Sequence, residues 1–436
     1  MKKDRKSHIM VRYYIFSLMT ALTLLGCSAP QRNVVRPQTG TKSGMYNPGS
    51  TRLHPAYTVY HNSLNSSVLM AKIFPVELLF SDANAERKML AKLRISFQMT
   101  DITDKNSVVM ADSGTYEYSF LKENADKRFI TQIPLKAVNG KVYELRINAV
   151  DMIRKEENIT FKMVDKTSLF TQQNYLVKDF ARHIPYFEPC VTGDAPFRIE
   201  YRTDTFSRIF ISYYGQESPL PRPSFSLARE LEFMEKPDSM WILKYQKSTP
   251  FQLGYEGVFH FQFDTTVREG LTVLNFGPDY PRIKQPEQMI EPLAYLTSSG
   301  EYEKIKKAGN PKLAVDNFWL GLTDNNMDRA RELIRVYYNR VYFANYYFTT
   351  FKPGWKTDRG MIYIIYGPPE AVARTHGSEK WIYYKNNFAT TLTFTFEYKS
   401  SPYTLNNYIL LRSEGYDGYW RQAVDTWRNG SVFMLE

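Results

Sequence analysis

The sequence predicts a mixed β and α+β protein in which two tandem immunoglobulin-like β-sandwiches precede a helical segment and a C-terminal antiparallel-sheet module. Three observations support this order. Apolar and polar residues alternate with period two through residues 53–165 and again through 166–283, as half-buried strands require. The spacing becomes helical in residues 284–351. Short strand-like runs separated by turn dipeptides return in residues 352–436.

The first of these regions, residues 53–165, shows the alternation most clearly. Residues 93–99 switch strictly between apolar and polar side chains, and residues 143–149 repeat the pattern. Asn139-Gly140 separates two such runs and is a strong hairpin signal. Seven or so short strands in roughly 110 residues are typical of an immunoglobulin-like sandwich. Residues 166–283 carry a second set of runs without a convincing residue-level repeat of the first.

The period changes to helical near Pro286. Residues 288–307 and 311–322 predict two helices, and Asn325 or Asn326 is a candidate N-cap for a third. Apolar residues then recur at helical spacing up to Phe348, which gives the third helix one apolar face. Pro353 is expected to stop it.

A compact signature follows the helix stop, at Gly354-Trp355-Lys356-Thr357-Asp358. Residues 361–366 form an apolar run that predicts a strand, which Gly367-Pro368-Pro369 would end. Further strands are expected at 381–384, 390–398 and 408–412. Asp417-Gly418 and Asn429-Gly430 predict turns. Together these signals predict an antiparallel sheet packed against the preceding helices.

At these residues the chain resembles the GWxTD domain family of Bacteroidota and their relatives. The resemblance rests on residues 354–358, the Gly-Pro-Pro at 367–369, the W-x-Y-Y run at 381–384 and Phe318-Trp319 in the helical lead-in. It implies an envelope lipoprotein with a β-rich N-terminal region. The resemblance implies no reaction mechanism.

Each residue of the signature also has a structural interpretation. Gly354 would permit a positive φ at the helix exit, and Trp355 would be buried between helix and sheet. Thr357 and Asp358 would bond backbone N–H groups in a turn that launches the strand. The motif residues interpreted as structural are Gly354, Trp355, Thr357, Asp358, Gly367, Pro368 and Pro369.

A functional interpretation of the same stretch stays open. Asp358 could form a carboxylate pair with Glu370 or Glu379, beside Trp355 as a platform for a sugar ring. Glycosidases need two carboxylates about 5 to 9 Å apart, a separation that sequence does not give. The chain contains no zinc-binding His spacing, no Walker loop and no G-x-S-x-G motif. We therefore expect no catalytic residue, no metal and no cofactor.

The N-terminus predicts export and lipidation. A basic stretch precedes an apolar run at residues 13–25, which is too short for a membrane span and fits the core of a signal peptide over residues 1–26. Leu24-Leu25-Gly26-Cys27 resembles the bacterial lipobox, with Cys27 as the acylated residue. The alternative is a cleaved secretory signal with an incidental cysteine. Ser28 after the cysteine favours the outer membrane, and the periplasmic face is the preferred side.

Polar residues with few large apolar side chains make up residues 27–52, which predicts a flexible tether. The formal charge is +11, of which residues 1–26 supply about 4, and no dense Lys/Arg block remains. A nucleic-acid partner is therefore not expected. Cys190 is the only other cysteine, so no intramolecular disulfide is expected in an acylated chain. A buried apolar role suits Cys190 better than a catalytic one.

These observations favour a non-catalytic outer-membrane lipoprotein that acts as a scaffold or accessory subunit of an envelope protein complex. Such a complex would serve outer-membrane protein assembly, secretion or surface export. The expected partners are the membrane, through the lipid anchor, and other envelope proteins. The alternative function is glycan binding or glycan processing, with exposed aromatic rings as sugar platforms.

Overall fold

A computed structural model describes residues 41–83, 88–104, 108–188, 190–191, 195–228, 236–384 and 391–434. These residues form a mixed, strand-rich fold with several antiparallel sheets and a C-terminal helical region. The predicted signal segment, residues 1–26, and Cys27 lie outside the described residues. No helix in the described part of the chain is both long and apolar enough to cross a membrane.

Two antiparallel sheets form the first β region, residues 56–165. One sheet has the order β2-β3-β7 and the other β4-β5-β8-β9, with β6 also paired to β5. Their inner side chains, such as Leu69, Ile95 and Ile147, share one apolar core. The apolar side chains of the alternating residues 93–99 and 143–149 form part of that core. The strands are β2 Ala56–Tyr60, β3 Ser67–Ile73, β4 Ser81–Ala83, β5 Lys88–Asp101, β6 Val109–Leu121, β7 Phe129–Leu135, β8 Val142–Asp151 and β9 Glu157–Asp165.

The second β region, residues 175–275, is built in the same way from two smaller sheets. One is the pair β10-β11, and the other has the order β13-β12-β14-β15. Aromatic and aliphatic side chains from both sheets, including Phe197, Ile211 and Phe261, form its core. Its strands are β10 Tyr175–Asp179, β11 Phe197–Tyr201, β12 Arg208–Tyr214, β13 Ser239–Lys244, β14 Gly257–Gln262 and β15 Leu271–Asn275.

Residues 286–434 form a unit that we call the helix–sheet module. Its helices are α1 Pro286–Ile290, α2 Ser299–Lys306, α3 Pro311–Gly321, α4 Met327–Phe348, α5 Asp358–Tyr366 and α6 Asp417–Arg428. Its strands are β16 Ala371–Thr375, β17 Ser378–Tyr384, β18 Thr391–Tyr398 and β19 Tyr408–Leu410. Side chains on both sides of residue 352 share one core. Residues of the helical segment 284–351 and of the sheet module 352–436 both contribute to this core, so the sheet packs against the preceding helices.

Helix α4 lies where the sequence predicts the third helix. The side chain of Asn326 accepts a hydrogen bond from the N–H of Arg329, so the predicted cap at this residue is correct. The buried face of the helix includes Leu333, Tyr337, Val341 and Phe348. These residues follow the predicted spacing.

The predicted strand at residues 361–366 is wrong, because this stretch lies in helix α5. All nine residues of α5 are buried, so no polar face marks the helical period. The run of Met, Ile and Tyr therefore has the composition of a central strand. The predicted turn at Asp417-Gly418 is also wrong, since these residues form the first turn of α6.

The predicted tether also differs from the structure over its last ten or so residues. Residues Thr41–Ser43 form β1, which pairs with β16 at the edge of the module sheet. The full order of that sheet is β1-β16-β17-β18-β19. A segment without a core of its own is thus ordered by a sheet more than 300 residues away in the sequence.

Candidate functional site

The signature residues form the connection between α4 and α5. Gly354–Lys356 make a single 3-10 turn, and Thr357 then begins α5 as its N-cap. Gly354 does not adopt the positive φ that the sequence suggested. Its role is close packing, because a Cβ at this position would overlap the backbone carbonyl of Ala344 in α4. The backbones of the turn and the helix can touch only where no side chain intervenes.

Trp355 fills the corner between the helices and is only 5% exposed. Its backbone N–H donates to Oδ1 of Asn345, at 3.1 Å, and its carbonyl accepts from the hydroxyl of Tyr295, at 2.8 Å. The Tyr295 ring also meets the indole edge to face, at 5.9 Å. Side chain and backbone of this residue are therefore both held inside the fold.

Thr357 caps helix α5. Its Oγ1 accepts from the N–H of Gly360, at 3.1 Å, and donates to the carbonyl of Gly354, at 2.7 Å. Gly360 is a second close-packing glycine, since a Cβ there would overlap the Gly354 carbonyl. The predicted hydroxyl-to-backbone bond exists, but it starts a helix rather than a strand.

Asp358 joins α5 to the end of β19. Its carboxylate accepts from the guanidinium of Arg412, at 2.6 Å, and from the backbone N–H of Leu410, at 2.8 Å. The same guanidinium donates to the carbonyl of Arg222, at 3.1 Å. Asp358 is 4% exposed, so this is a buried ion pair that reaches a connection of the second β region.

Lys356 occupies the variable position of the signature and is also buried. Its ammonium lies 3.1 Å from Glu291 and 3.2 Å from Glu217, and 5.0 Å from the centre of the Trp355 ring. Glu217 belongs to the connection between β12 and β13. The lysine therefore forms ion pairs with two carboxylates while its charge lies over the buried indole.

A second buried charge cluster surrounds Glu379 on β17. Glu379 has no exposed surface and accepts from Arg359, Arg374, the indole N–H of Trp381 and the hydroxyl of Tyr46. Burial alone would raise the pKa of this carboxyl, but Arg374 and Arg359 outweigh it and hold the pKa below its ordinary value. The carboxyl is therefore charged and fully compensated.

Gly367-Pro368-Pro369 links α5 to β16. Gly367 has φ of 88° and follows the last residue of the helix, the usual position of a terminating glycine. Its carbonyl accepts from the hydroxyl of Tyr383, at 2.9 Å. The prolines thus follow a helix, not the strand that the sequence predicted.

The functional interpretation of the signature involves three carboxylates, Asp358, Glu370 and Glu379. Asp358 and Glu379 are each bound to arginine inside the module, and neither has more than 4% of its surface exposed. Glu370 is half-buried, and burial raises its pKa. Among the described residues no cluster of His, Cys, Asp or Glu has the arrangement of a metal site. Cys190 is half-buried, and desolvation raises the pKa of its thiol.

Sequence reasoning missed most partners in these clusters. Tyr46, Asn345, Arg359 and Arg412 received no role, although they bind the motif and Glu379. One signal was available, because Glu379 shares a strand face with Trp381 and Tyr383. An acid on the apolar face of a strand indicates a buried partner of opposite charge.

These features define a β-rich protein with a C-terminal module whose signature is built into its core. The model of the GWxTD domain family matches residues 257–429, which is consistent with a GWxTD domain in this part of the chain. The match begins at β14 and includes the helix–sheet module almost to its end.

Other comparisons add little. No protein with a curated description matches the chain. Red sea bream transglutaminase is similar at 10% identity and a TM-score of 0.18, over 52% of this chain and 31% of that one. A Bacteroides uniformis β-glucuronidase, β-glucuronidase 2, is similar at 9% identity and a TM-score of 0.17, over 32% of this chain and 16% of that one. The chain thus spans less than a third of either protein, and similarity this low says nothing about fold or chemistry.

Proposed function

We propose that the protein is a non-catalytic lipoprotein of the outer membrane, anchored through Cys27 on the periplasmic face, that acts as a scaffold or accessory subunit of an envelope protein complex. Outer-membrane protein assembly, secretion and surface export are the processes such a complex would serve. The observation that carries this proposal is the exposed apolar edge strand β13, residues Ser239–Lys244.

Strand β13 exposes side chains on both of its faces. Met240 and Ile242, on one face, are 60% and 59% exposed, and Trp241 and Leu243 point to the other face and are also exposed. Four consecutive exposed apolar residues are unusual on an edge strand, since they favour pairing with other chains. The strand therefore has the composition of a protein contact.

The backbone of β13 is also open to pairing. Its inner edge pairs with β12 from Ser239 to Lys244, and no other strand in the described part of the chain pairs with its outer edge. An extended apolar segment of a partner could add to this edge through main-chain hydrogen bonds, with side chains on both faces giving specificity. The occupant that we propose is such a segment from another envelope protein.

The rest of the molecule fits a binding role. We propose that the two β regions are immunoglobulin-like sandwiches, since each places two antiparallel sheets around one core. Asp358 of the signature and Glu379 on β17 are each engaged with arginine in the fold, which supports a role without bond-breaking chemistry. No nucleic acid, metal or cofactor is part of the proposal.

The experiment is recovery of partners from the envelope in mild detergent, using the tagged chain and Ile242→Glu. The matched control is Leu313→Glu, because Leu313 is 55% exposed on α3 but lies outside any strand edge. We expect a partner recovered with the wild type and the control to be lost with Ile242→Glu at unchanged melting temperature. Equal recovery with all three chains would contradict the proposed contact.

The anchor is tested separately by growth on labelled palmitate. The wild type should take up the label, and Cys27→Ser should not. An unlabelled wild-type chain would contradict the lipoprotein assignment without affecting the partner experiment.

A second candidate function is glycan binding, favoured by a row of aromatic rings on α4. Tyr342, Phe343, Tyr346 and Tyr347 contact one another in series at 4.8 to 6.5 Å between ring centres, and each is partly exposed. Aromatic faces of this kind suit stacking against sugars. Binding on a glycan array that disappears with Tyr346→Ala would support this function over the first, and an empty array would remove it.

A further inference from the structure

The N-terminal segment, residues 41–50, occupies a site made by the other end of the chain. Its strand β1 pairs antiparallel with β16, with Thr41 opposite Ala373 and Ser43 opposite Ala371. On its other side β16 pairs with β17. The segment therefore lies at the open edge of a sheet that already contains four strands without it.

Tyr46 is the residue of the segment that enters the module core. Its ring centre lies 5.0 Å from that of Phe348, 5.3 Å from Trp381 and 5.4 Å from Tyr347. Its hydroxyl donates to Glu379, at 3.0 Å. We call the space that holds this ring the tyrosine pocket. Aromatic walls and a buried acceptor at the end recognise a phenol specifically.

The module also forms a hydrogen bond to the backbone next to this ring. The hydroxyl of Tyr363 donates to the carbonyl of Tyr46, at 3.0 Å. The strand pairing with β16, the ring contacts and this bond together resemble the way a sheet edge binds an extended peptide, with main-chain bonds for affinity and a pocket for one side chain.

The buried charge of Glu379 does not depend on the Tyr46 hydroxyl for compensation. Glu379 has Arg359, Arg374 and the Trp381 indole as partners besides Tyr46. Loss of the phenol therefore leaves no isolated buried charge, which would otherwise be strongly destabilising. Three or more strands packed on helices are enough for a stable sheet, so β16–β19 do not require β1.

The segment has a shape of its own. After β1 the chain turns at Gly44, with φ of 74°. The Asn47 N–H donates to the Gly44 carbonyl, at 3.1 Å, and the Ser50 hydroxyl donates to the same carbonyl, at 2.8 Å. These bonds lie within ten residues, so an isolated peptide of this sequence can form them. Local preorganisation lowers the entropy cost of docking.

We propose that the open edge of β16 and the tyrosine pocket form a binding site for an extended, tyrosine-bearing peptide. Residues 41–50 are its occupant within the same chain. The site accepts the same sequence in trans whenever the resident segment is absent or weakened. This site is separate from the β13 edge and does not depend on lipidation.

The test uses the full-length chain in mild detergent with Tyr46→Ala, which weakens the resident segment without cutting the protein. A fluorescent peptide of residues 41–50 should bind this variant at least tenfold more tightly than it binds the wild type, whose site is occupied at the high effective concentration of an attached segment. The peptide with Tyr46→Ala should not bind. Absence of binding to the folded Tyr46→Ala chain would overturn the proposal.

A matched control is Tyr342→Ala, which removes an aromatic ring of α4 outside the tyrosine pocket. This chain should bind the peptide no better than the wild type, and equal gain in both variants would refute a specific site.

In a second design a protease site follows Ser50, which is exposed. Cleavage should leave a folded body that exchanges its severed segment for the labelled peptide. A segment that never exchanges, or a body that unfolds, would show an integral strand instead.

Discussion

Two buried aspartates, one in the first β region and one in the helix–sheet module, satisfy their charge in different ways. Asp151 lies at the end of β8 and accepts from the backbone N–H groups of Ile153 and Arg154, two and three residues on, and of Leu79. Its ion-pair partner is the side chain of Arg154, in the same turn. Asp358 accepts from Leu410 and Arg412, more than fifty residues away. Both carboxylates bond a distant backbone N–H, but the first pairs with an arginine of its own turn, whereas the second pairs with an arginine of a distant element.

The same contrast extends to whole regions. The first β region gets its core from strands whose alternation specifies which side chains lie inside. The module places irregular turns against helices and sheet, where apolar contacts alone do not fix register, and it uses Asp358, Lys356 and Glu379 as connectors. This difference shows that a short polar signature can serve to hold the elements of a core in place.

The largest effect is expected for Trp355→Ala. Loss of this buried indole should lower the free energy of unfolding by about 3 to 5 kcal/mol, measured by urea unfolding. Trp241→Ala is the matched control, because Trp241 lies on the exposed edge strand β13, and surface changes usually stay within about 0.5 kcal/mol. Equal effects at both tryptophans would break the distinction between a packed corner and a contact surface.

Breaking the long-range ion pair should come next. Asp358→Asn keeps the size of the side chain but leaves Arg412 buried without its carboxylate, and we expect a loss of about 3 kcal/mol. The double variant Asp358→Asn, Arg412→Met should recover part of that loss, because it removes the unpaired charge. A double variant that is less stable than either single one would contradict a coupled pair.

As the pH is lowered, the stability contributed by the β regions should fall at a higher pH than the stability contributed by the module. Burial lowers the pKa of His61 and of His260 to about 4. Each is neutral in the fold but takes up a proton below pH 6.5 when unfolded, so stability falls as the pH drops from 6.5 towards 4. At pH 5 the loss is about 2 kcal/mol for each group.

Glu379 affects the stability of the fold in a lower pH range. Because its folded pKa is depressed, the stability it contributes is present above its ordinary value of about 4.5 and is lost only as the pH falls further. Melting temperatures between pH 7 and 5 should therefore decline less in His61→Gln and keep the wild-type slope in Glu379→Gln. A flatter slope in Glu379→Gln would reverse this assignment.

The smallest effect is expected for Gly418→Ala, and Gly354→Ala provides the contrast. Gly418 lies exposed in the first turn of α6 with nothing near its missing Cβ, so Gly418→Ala should raise stability by about 0.5 to 1 kcal/mol. Gly354→Ala should lower it, since the added methyl would overlap the Ala344 carbonyl. Thermal melts of both variants, with opposite signs, would sharpen the contrast between an open and a packed glycine.

Local signals in the sequence predicted much of the fold. Asn326 and the apolar spacing after it gave helix α4, and the alternation of residues 93–99 gave part of β5. Helix α5 was missed because every residue in it is buried, although Thr357 before it and Gly367 after it are ordinary helix boundaries. Those boundary residues were the better evidence.

The buried clusters lay beyond what the sequence can predict. Tyr46 meets Glu379 across 333 positions, and Asp358 meets Arg412 across 54. No periodicity or motif connects such residues, because the partners are chosen by tertiary packing. A polar, Gly- and Pro-containing stretch was for the same reason expected to be a tether, and the sheet that orders it could not be foreseen.

The pairing of β1 with β16 also sets a distance. Residues 28–40, thirteen in all, separate the proposed acylated Cys27 from β1, and thirteen residues reach at most about 45 Å when fully extended. If Cys27 is acylated as proposed, the β16 edge therefore lies within that distance of the bilayer while Tyr46 stays in its pocket. Release of residues 41–52 would nearly double the maximum length of this connection. Occupancy of the tyrosine pocket would then determine how far from the proposed anchor the folded body can extend.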